Sequence, residues 1–217
     1  RMRARDDPEG RMRNGIASDA DFVAFEAVVS TEAGQLAIAP GYLEREWTEG
    51  GRRHFAYRMD APILDFYAFQ SGRYAVRRDR WNAVAIEVWH HPGHEYTLDR
   101  IVEFPRYRTF AQAFPNTIPY SEGIGFIARV RDDDPEDVDY PYYVTAHELA
   151  HQWWAHQVIG ADVQGETMLV ESLAQYSALM VMKKKYGEAR MQRFLRYELE
   201  RYLIGRSTEQ KKELPLA

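Results

Sequence analysis

The chain has 217 residues, 45% of them hydrophobic and 28% charged, with a formal net charge of −5 at pH 7 and no cysteine. That length supports a sizeable core, the acidic balance leaves no electrostatic footprint for nucleic acid, and disulfides and thiolate metal sites are excluded. No run of about 18 apolar residues occurs, so no segment reads as a membrane span.

Residues 1–20 mix basic, acidic and glycine positions with little periodicity and read as a loose arm. From Phe22 to about Trp89 the pattern is short and β-like. Phe25, Ala27 and Val29, then Leu36 and Ile38, Phe55 and Tyr57, and Tyr74 and Val76 alternate between glycine turns. Val84, Ile86 and Val88 predict a strand, and Ile101–Phe104 another. His90-His91-Pro92-Gly93-His94 reads as a turn. Asp132-Asp133-Asp134-Pro135-Glu136-Asp137 reads as a solvated loop, because it lacks the spaced ligands and glycine of a calcium loop. Helices are expected after about Pro141. One carries His147 to His151. The next carries Glu171 on an apolar face of Met168, Leu169, Leu173, Leu179 and Met180, and stops at Gly187. A third has Met191, Phe194, Leu195, Leu199 and Leu203 on one side and is closed by Gly205.

His147-Glu148-Leu149-Ala150-His151 puts two imidazoles on one helical face, where both can bind one ion. Neutral imidazole suits zinc (Zn2+). Glu148 lies about 100° round the helix from His147. From there it can take the proton of a metal-activated water as that water attacks a carbonyl. A zinc hydrolase needs a third protein ligand and one open position. Glu171 fits, nineteen residues (152–170) beyond His151, across a loop marked by Gly160 and Gly165. The competing readings are a solvated helix with two stray histidines and a Glu171 carboxylate paired with Arg or Lys. His156, Trp153, Trp154, Met168 and Tyr176 read first as packing or support around the site.

HELAHQWW (147–154) followed by LVESLAQY (169–176) resembles the aminopeptidase-N-like gluzincins, in which HExxHxW is followed by a helix reading LxExxAxY. That family usually places eighteen residues before the glutamate, so the additional residue is expected as a loop insertion within 155–166. Through WWAHQVIGADVQGETMLVESLAQYSALMVM the chain is similar to the peptidase domain of bacterial ABC-transporter permease/aminopeptidase fusion proteins. That likeness implies attachment to a membrane transporter in a longer protein. PYSEGIGFI (119–127) resembles the exopeptidase segment GxMENxGxI, with Glu122, Gly125 and Ile127 on matching positions and Pro119, Ser121 and Gly123 departing from it. The resemblance implies that Glu122 stands on an edge strand and holds the substrate's free ammonium beside the metal; the plainer reading is an exposed turn glutamate. FAYRMDAPILDFYAFQSGRY (55–74) resembles the closing strands of the family's N-terminal β-sandwich.

The implied fold is α+β: an arm over 1–20, the C-terminal part of a β-sandwich over 21–82, and a thermolysin-like zincin catalytic domain over 83–217. The family's long helix is expected between His94 and Ile101, where only residues 95–100 intervene, and its oxyanion-stabilising tyrosine is expected beyond Ala217. The implied activity is zinc-dependent removal of N-terminal residues from peptides, with His147, His151 and Glu171 on the metal, Glu148 as base and Glu122 on the substrate. Two alternatives stand beside it. One is a non-catalytic peptide-binding or regulatory domain of a transporter fusion with a structural or vestigial zinc site. The other is a thermolysin-like endopeptidase.

Overall fold

The computed structural model describes residues 3–16, 19–93, 101–131, 133–134 and 137–208. In chain order these form α1 (Pro8–Arg11), β1 (Phe22–Val23), β2 (Glu26–Glu32), β3 (Leu36–Ile38), β4 (Tyr42–Glu49), β5 (Arg52–Arg58), β6 (Ile63–Leu64), β7 (Gln70–Gly72), β8 (Ala75–Trp81), β9 (Val84–His90), β10 (Ile101–Phe104), β11 (Ile118–Ser121), α2 (Glu122–Gly125), α3 (Tyr140–Ala150), a π-helical turn (Met168–Ser172) and α4 (Leu173–Thr208). The fold is mixed α and β with several sheets.

The alternating segments of the first half form strands. β2, β5 and β4 form an antiparallel sheet in that order, and the pairs β3–β7 and β1–β6 lie beside it. Phe25, Ala37, Ala39, Phe55, Tyr57 and Ile63 make its core. β4 is a strand that periodicity missed, because YLEREWTE is charged and almost wholly exposed. A second sheet runs β11–β10–β9–β8, antiparallel between β8 and β9 and parallel across β10. Val88, Ile118, Tyr120, Ile124 and Phe126 form its core against Tyr140 and Val144 of α3. Tyr120 donates its hydroxyl hydrogen to the Pro141 carbonyl at 2.8 Å, fastening β11 to the first turn of α3. A third cluster of Tyr143, Ala178, Met182 and Phe194 joins α3 to α4.

Several expectations need correction. Residues 3–16 are not loose; they contain α1 and bond to residues 160–164. The packed stripe of the Glu171 helix is Val170, Ala174, Ala178 and Met182, four residues apart, whereas Met168 is 48% exposed. Its small alanines escaped a search for large apolar residues. α4 is kinked at Gly187 (φ 80°, ψ 178°) and runs past Gly205 to Thr208. Met191 and Phe194 are buried there, but Leu195, Leu199 and Leu203 are exposed. The acidic run is partly neutralised, since Arg131 pairs with Asp134 and Asp137. His94, residues 95–100, Asp132, Pro135 and Glu136 lie outside the described residues. No described helix is long and apolar enough to cross a membrane.

Candidate metal centre

Asp139 begins α3 by accepting from the Tyr142 amide at 3.1 Å, with Pro141 in the first turn where a missing N–H costs nothing. Two turns later the helix presents His147 and His151 on one face. Their Nε2 atoms are 3.1 Å apart. Glu171 comes from the π-helical turn, and its Oε2 lies 3.3 Å from His147 Nε2 and 3.6 Å from His151 Nε2. Among the described residues this is the group able to hold a metal ion. Three donors around a tetrahedral ion with bonds of about 2.0–2.1 Å stand about 3.3–3.4 Å apart. The observed edges bracket that spacing, and two imidazoles with one carboxylate are a donor set suited to zinc, so the residues fit the ion.

The surroundings hold the donors in place. His151 Nδ1 sits 2.8 Å from the Trp154 carbonyl, so it carries the hydrogen and leaves the Nε2 lone pair for a metal. Trp154 in turn donates its indole N–H to Ser177 on α4 at 3.1 Å. His147 Nδ1 is buried with no hydrogen-bond partner, so its ring direction comes from the helix and the facing donors. Without metal, hydrogen bonds from His147 and then His151 hold the Glu171 carboxyl well below the usual carboxylate range. For His151, burial opposes the charged ring most strongly. Glu171, the Trp154 carbonyl and Glu148 together outweigh it and raise its pKa.

Glu148 is only 8% exposed. Burial pushes its carboxyl above the ordinary value, against the pull of His147, His151 and the Ala113 amide. A carboxylate primed in this way is a better proton acceptor near neutrality. The Ala113 amide belongs to the 110–117 segment, which Gln152, just past α3, holds by two hydrogen bonds. Gln152 donates to the Phe114 carbonyl at 3.0 Å and accepts from the Asn116 amide at 2.9 Å. His156 is buried beside this segment, and burial depresses its pKa to about 4.

A cavity of about 660 Å3 opens over the metal group; His147, Glu148 and Glu171 line it, as do Tyr143, Gln175, Glu198 and Arg201. Tyr143 donates to Glu198 at 3.2 Å and accepts from Gln175. Sequence periodicity gave no signal for these three. Segment 109–111 forms the rim. Ser121 and Gln112 amides bond to the Phe110 and Pro119 carbonyls, an antiparallel pairing with a bridge at Ala111 and Tyr120. Phe110 and Gln112 therefore bond towards β11, and the alternation turns the Ala111 amide and carbonyl the other way.

The neighbourhood of Glu122 differs from the expected one. It opens α2, one residue beyond β11, and β11 is covered by residues 110–112 rather than standing at a free edge. Its Oε1 accepts from the Arg106 amide at 3.0 Å, and Glu122 is not among the residues lining the metal cavity. Trp153 is 54% exposed and Tyr176 59% exposed, so neither is core, and Tyr176 lines the cavity.

No protein-family profile and no curated protein matches the chain. In fold it is similar to solved M1 zinc metallopeptidases. The enzyme from Deinococcus radiodurans aligns with TM-score 0.60 at 15% identity, over 90% of this chain and 47% of that one. A point mutant from the same organism bound to a Tyr-Ser-Ala substrate gives 0.54 at 16% identity, over 78% and 42%. A two-domain M1 zinc metallopeptidase mutant bound to L-arginine gives 0.56 at 15% identity, over 78% and 42%. The chain spans less than half the length of these structures, and the likeness is one of fold.

Proposed function

We propose that this chain carries the catalytic centre of a zinc-dependent peptidase of the gluzincin kind, with a thermolysin-like catalytic domain and a preference for free peptide N-termini. The observation that carries the reading is the convergence of His147, His151 and Glu171 from two elements within 3.1–3.6 Å, with Glu148 buried beside them. His147, His151 and Glu171 would hold zinc, which when bound supplies Lewis-acid polarisation of water and of a carbonyl. Glu148 takes the proton of the attacking water and returns it to the leaving amine nitrogen. The Ala111 amide and carbonyl offer an extended peptide a backbone partner along the cavity rim.

The solved neighbours bound to Tyr-Ser-Ala and to L-arginine support a peptide substrate. Glu122, whose Oε1 accepts from the Arg106 amide while Oε2 stays available, is one candidate for holding the substrate ammonium. Glu198 lines the cavity beside Tyr143 and Arg201 and is a second candidate counter-ion for it. A charge-assisted hydrogen bond there would contribute about 1.5–3 kcal/mol. Glu198→Gln should then raise KM for free peptides while N-acetylated peptides remain poor substrates. Cleavage of blocked and free peptides at equal rates would point instead to the thermolysin-like endopeptidase. A structural or vestigial zinc site has no use for a buried base beside the metal, which disfavours the non-catalytic alternative. The transporter context rests on the sequence resemblance alone.

A further inference from the structure

Two of the three metal donors share one helix, so their mutual position follows from helical spacing. Glu171 does not. It stands at the end of a long connection, and its place depends on what holds residues 160–170. From the α4 side that hold is the buried stripe of Val170 and Ala174 together with the Trp154–Ser177 bond. From the other side it is the N-terminal arm.

The backbone groups of residues 160–164 that reach beyond their own segment bond to that arm. The Gly15 amide donates to the Gly160 carbonyl at 2.7 Å, the Asp162 amide to Arg13 at 3.0 Å and the Gln164 amide to Arg3 at 2.9 Å. Asn14 and Ala161 form an antiparallel bridge. The side chains repeat the connection, with the Arg3 guanidinium 3.5 Å from Asp162 while it also pairs with Asp7 and Glu9 within the arm. Two glycines let the surfaces close. A Cβ on Gly10 would lie 2.8 Å from the Asp162 carbonyl oxygen, and one on Gly15 would lie 2.4 Å from Glu166 Cγ. Gly160 faces the same Glu166 Cγ at 2.5 Å from where its own Cβ would stand. Glu166 is thus wedged between the arm and its own loop, five residues before Glu171.

We propose that residues 3–16 are a positioning clip for the third metal ligand. Docked, they hold residues 160–166 so that Glu171 faces His147 and His151; displaced, they free the Glu171 turn and weaken metal binding. The clip rests on the reading of His147, His151 and Glu171 as a metal site. It makes the arm a control point for metal loading that touches neither the metal nor the substrate.

Two variants of the full chain test this. Gly10→Leu forces a side chain against the Asp162 carbonyl. Arg3→Glu turns three attractions, to Asp7, Glu9 and Asp162, into repulsions. Amide hydrogen exchange at Asp162 and Gln164 reports whether the arm has left. Competition against a chromophoric chelator gives zinc affinity, and the visible spectrum of the cobalt-substituted protein reports the donor geometry. The expected result is faster exchange at both amides, zinc bound at least tenfold more weakly and an altered cobalt spectrum, with helical content retained. Faster exchange with parental affinity and spectrum would mean that α4 alone places Glu171, and the clip is overturned. Amides that stay protected in both variants would equally overturn it, because the junction would not depend on these contacts. His147→Ala separates the two levels of the argument: if it binds zinc as tightly as the parent, the metal site itself is wrong. If it loses zinc while the arm variants keep it, only the clip fails.

Discussion

On the proposed reading Glu148 moves protons while His147, His151 and Glu171 hold the metal, and substitution can separate the two roles. Glu148→Gln keeps the shape of the side chain but cannot accept a proton, so zinc content should stay at the parental level while kcat falls by about 10²–10⁴-fold. Peptide hydrolysis assayed with metal analysis on the same sample checks both halves. The histidines make opposite contributions to pH dependence. His151, raised in the metal-free protein, stabilises the fold below the ordinary imidazole value of about 6.5 and loses that contribution as pH rises through its higher folded value. His156, depressed to about 4, contributes above about 6.5 and loses its contribution as pH falls towards 4. Zinc requires neutral imidazoles. The difference in Tm between zinc-loaded and chelator-treated protein should therefore widen from pH 5.5 to pH 8, by an order-of-magnitude proton-competition argument. A difference that is flat or narrows with pH would contradict the ligand set. His156→Gln should soften the acid-side loss of Tm.

The elements around the site owe their placement to a few groups that local sequence does not advertise. Gln152 satisfies one carbonyl and one amide of the 114–116 turn, and Gln152→Ala should cost about 1–3 kcal/mol by leaving them unpaired. Denaturant unfolding measures this, and a loss of Glu148 function should accompany it. Gly187 sits at φ 80° and ψ 178° with open space around its α-carbon, a conformation largely reserved for glycine. Gly187→Ala should destabilise the chain by about 1–3 kcal/mol through backbone strain without changing zinc affinity. The HELAH helix and most strands were legible in local spacing, and Glu171 in its distance from His151 and the likeness of LVESLAQY to a known motif. The reach of α4 beyond Gly187 was not, since a glycine that ends one helix can also hinge two. The seat of Glu122 was hidden for a similar reason: nothing local to PYSEGIG says that residues 110–112 return to cover its strand.

For the molecule as a whole, the metal group links α3 to the π-helical turn that leads into α4, and α3 is fastened through Tyr120 to the sheet. An ion held by the native state alone stabilises the entire unit. Zinc at about 100 times its dissociation constant should add about 2.7 kcal/mol to unfolding, and His147→Ala should abolish the increment. That most strands precede the long helices was readable from apolar periodicity along the chain. The docking of the arm was not. Its polar, glycine-containing sequence resembles that of an unstructured tail, and its order comes from partners more than 140 positions away, such as Gly160 for Gly15.

The turn that carries Glu171 also acts as a rotational register between the ligand and its helix. A π-helical turn holds more residues than an α-helical one, so each of its residues accounts for somewhat less than the roughly 100° of an α-helical residue. Deleting Ser172, between Glu171 and α4, would swing the carboxylate by one residue's rotation, most of about 100°, away from the two histidines. Deleting Leu169, on the other side, would shorten the approach by one residue and leave Glu171 in phase with Ala174 and Ala178. Two deletions of equal size, three positions apart, should therefore part company: the first protein loses zinc and the second keeps it.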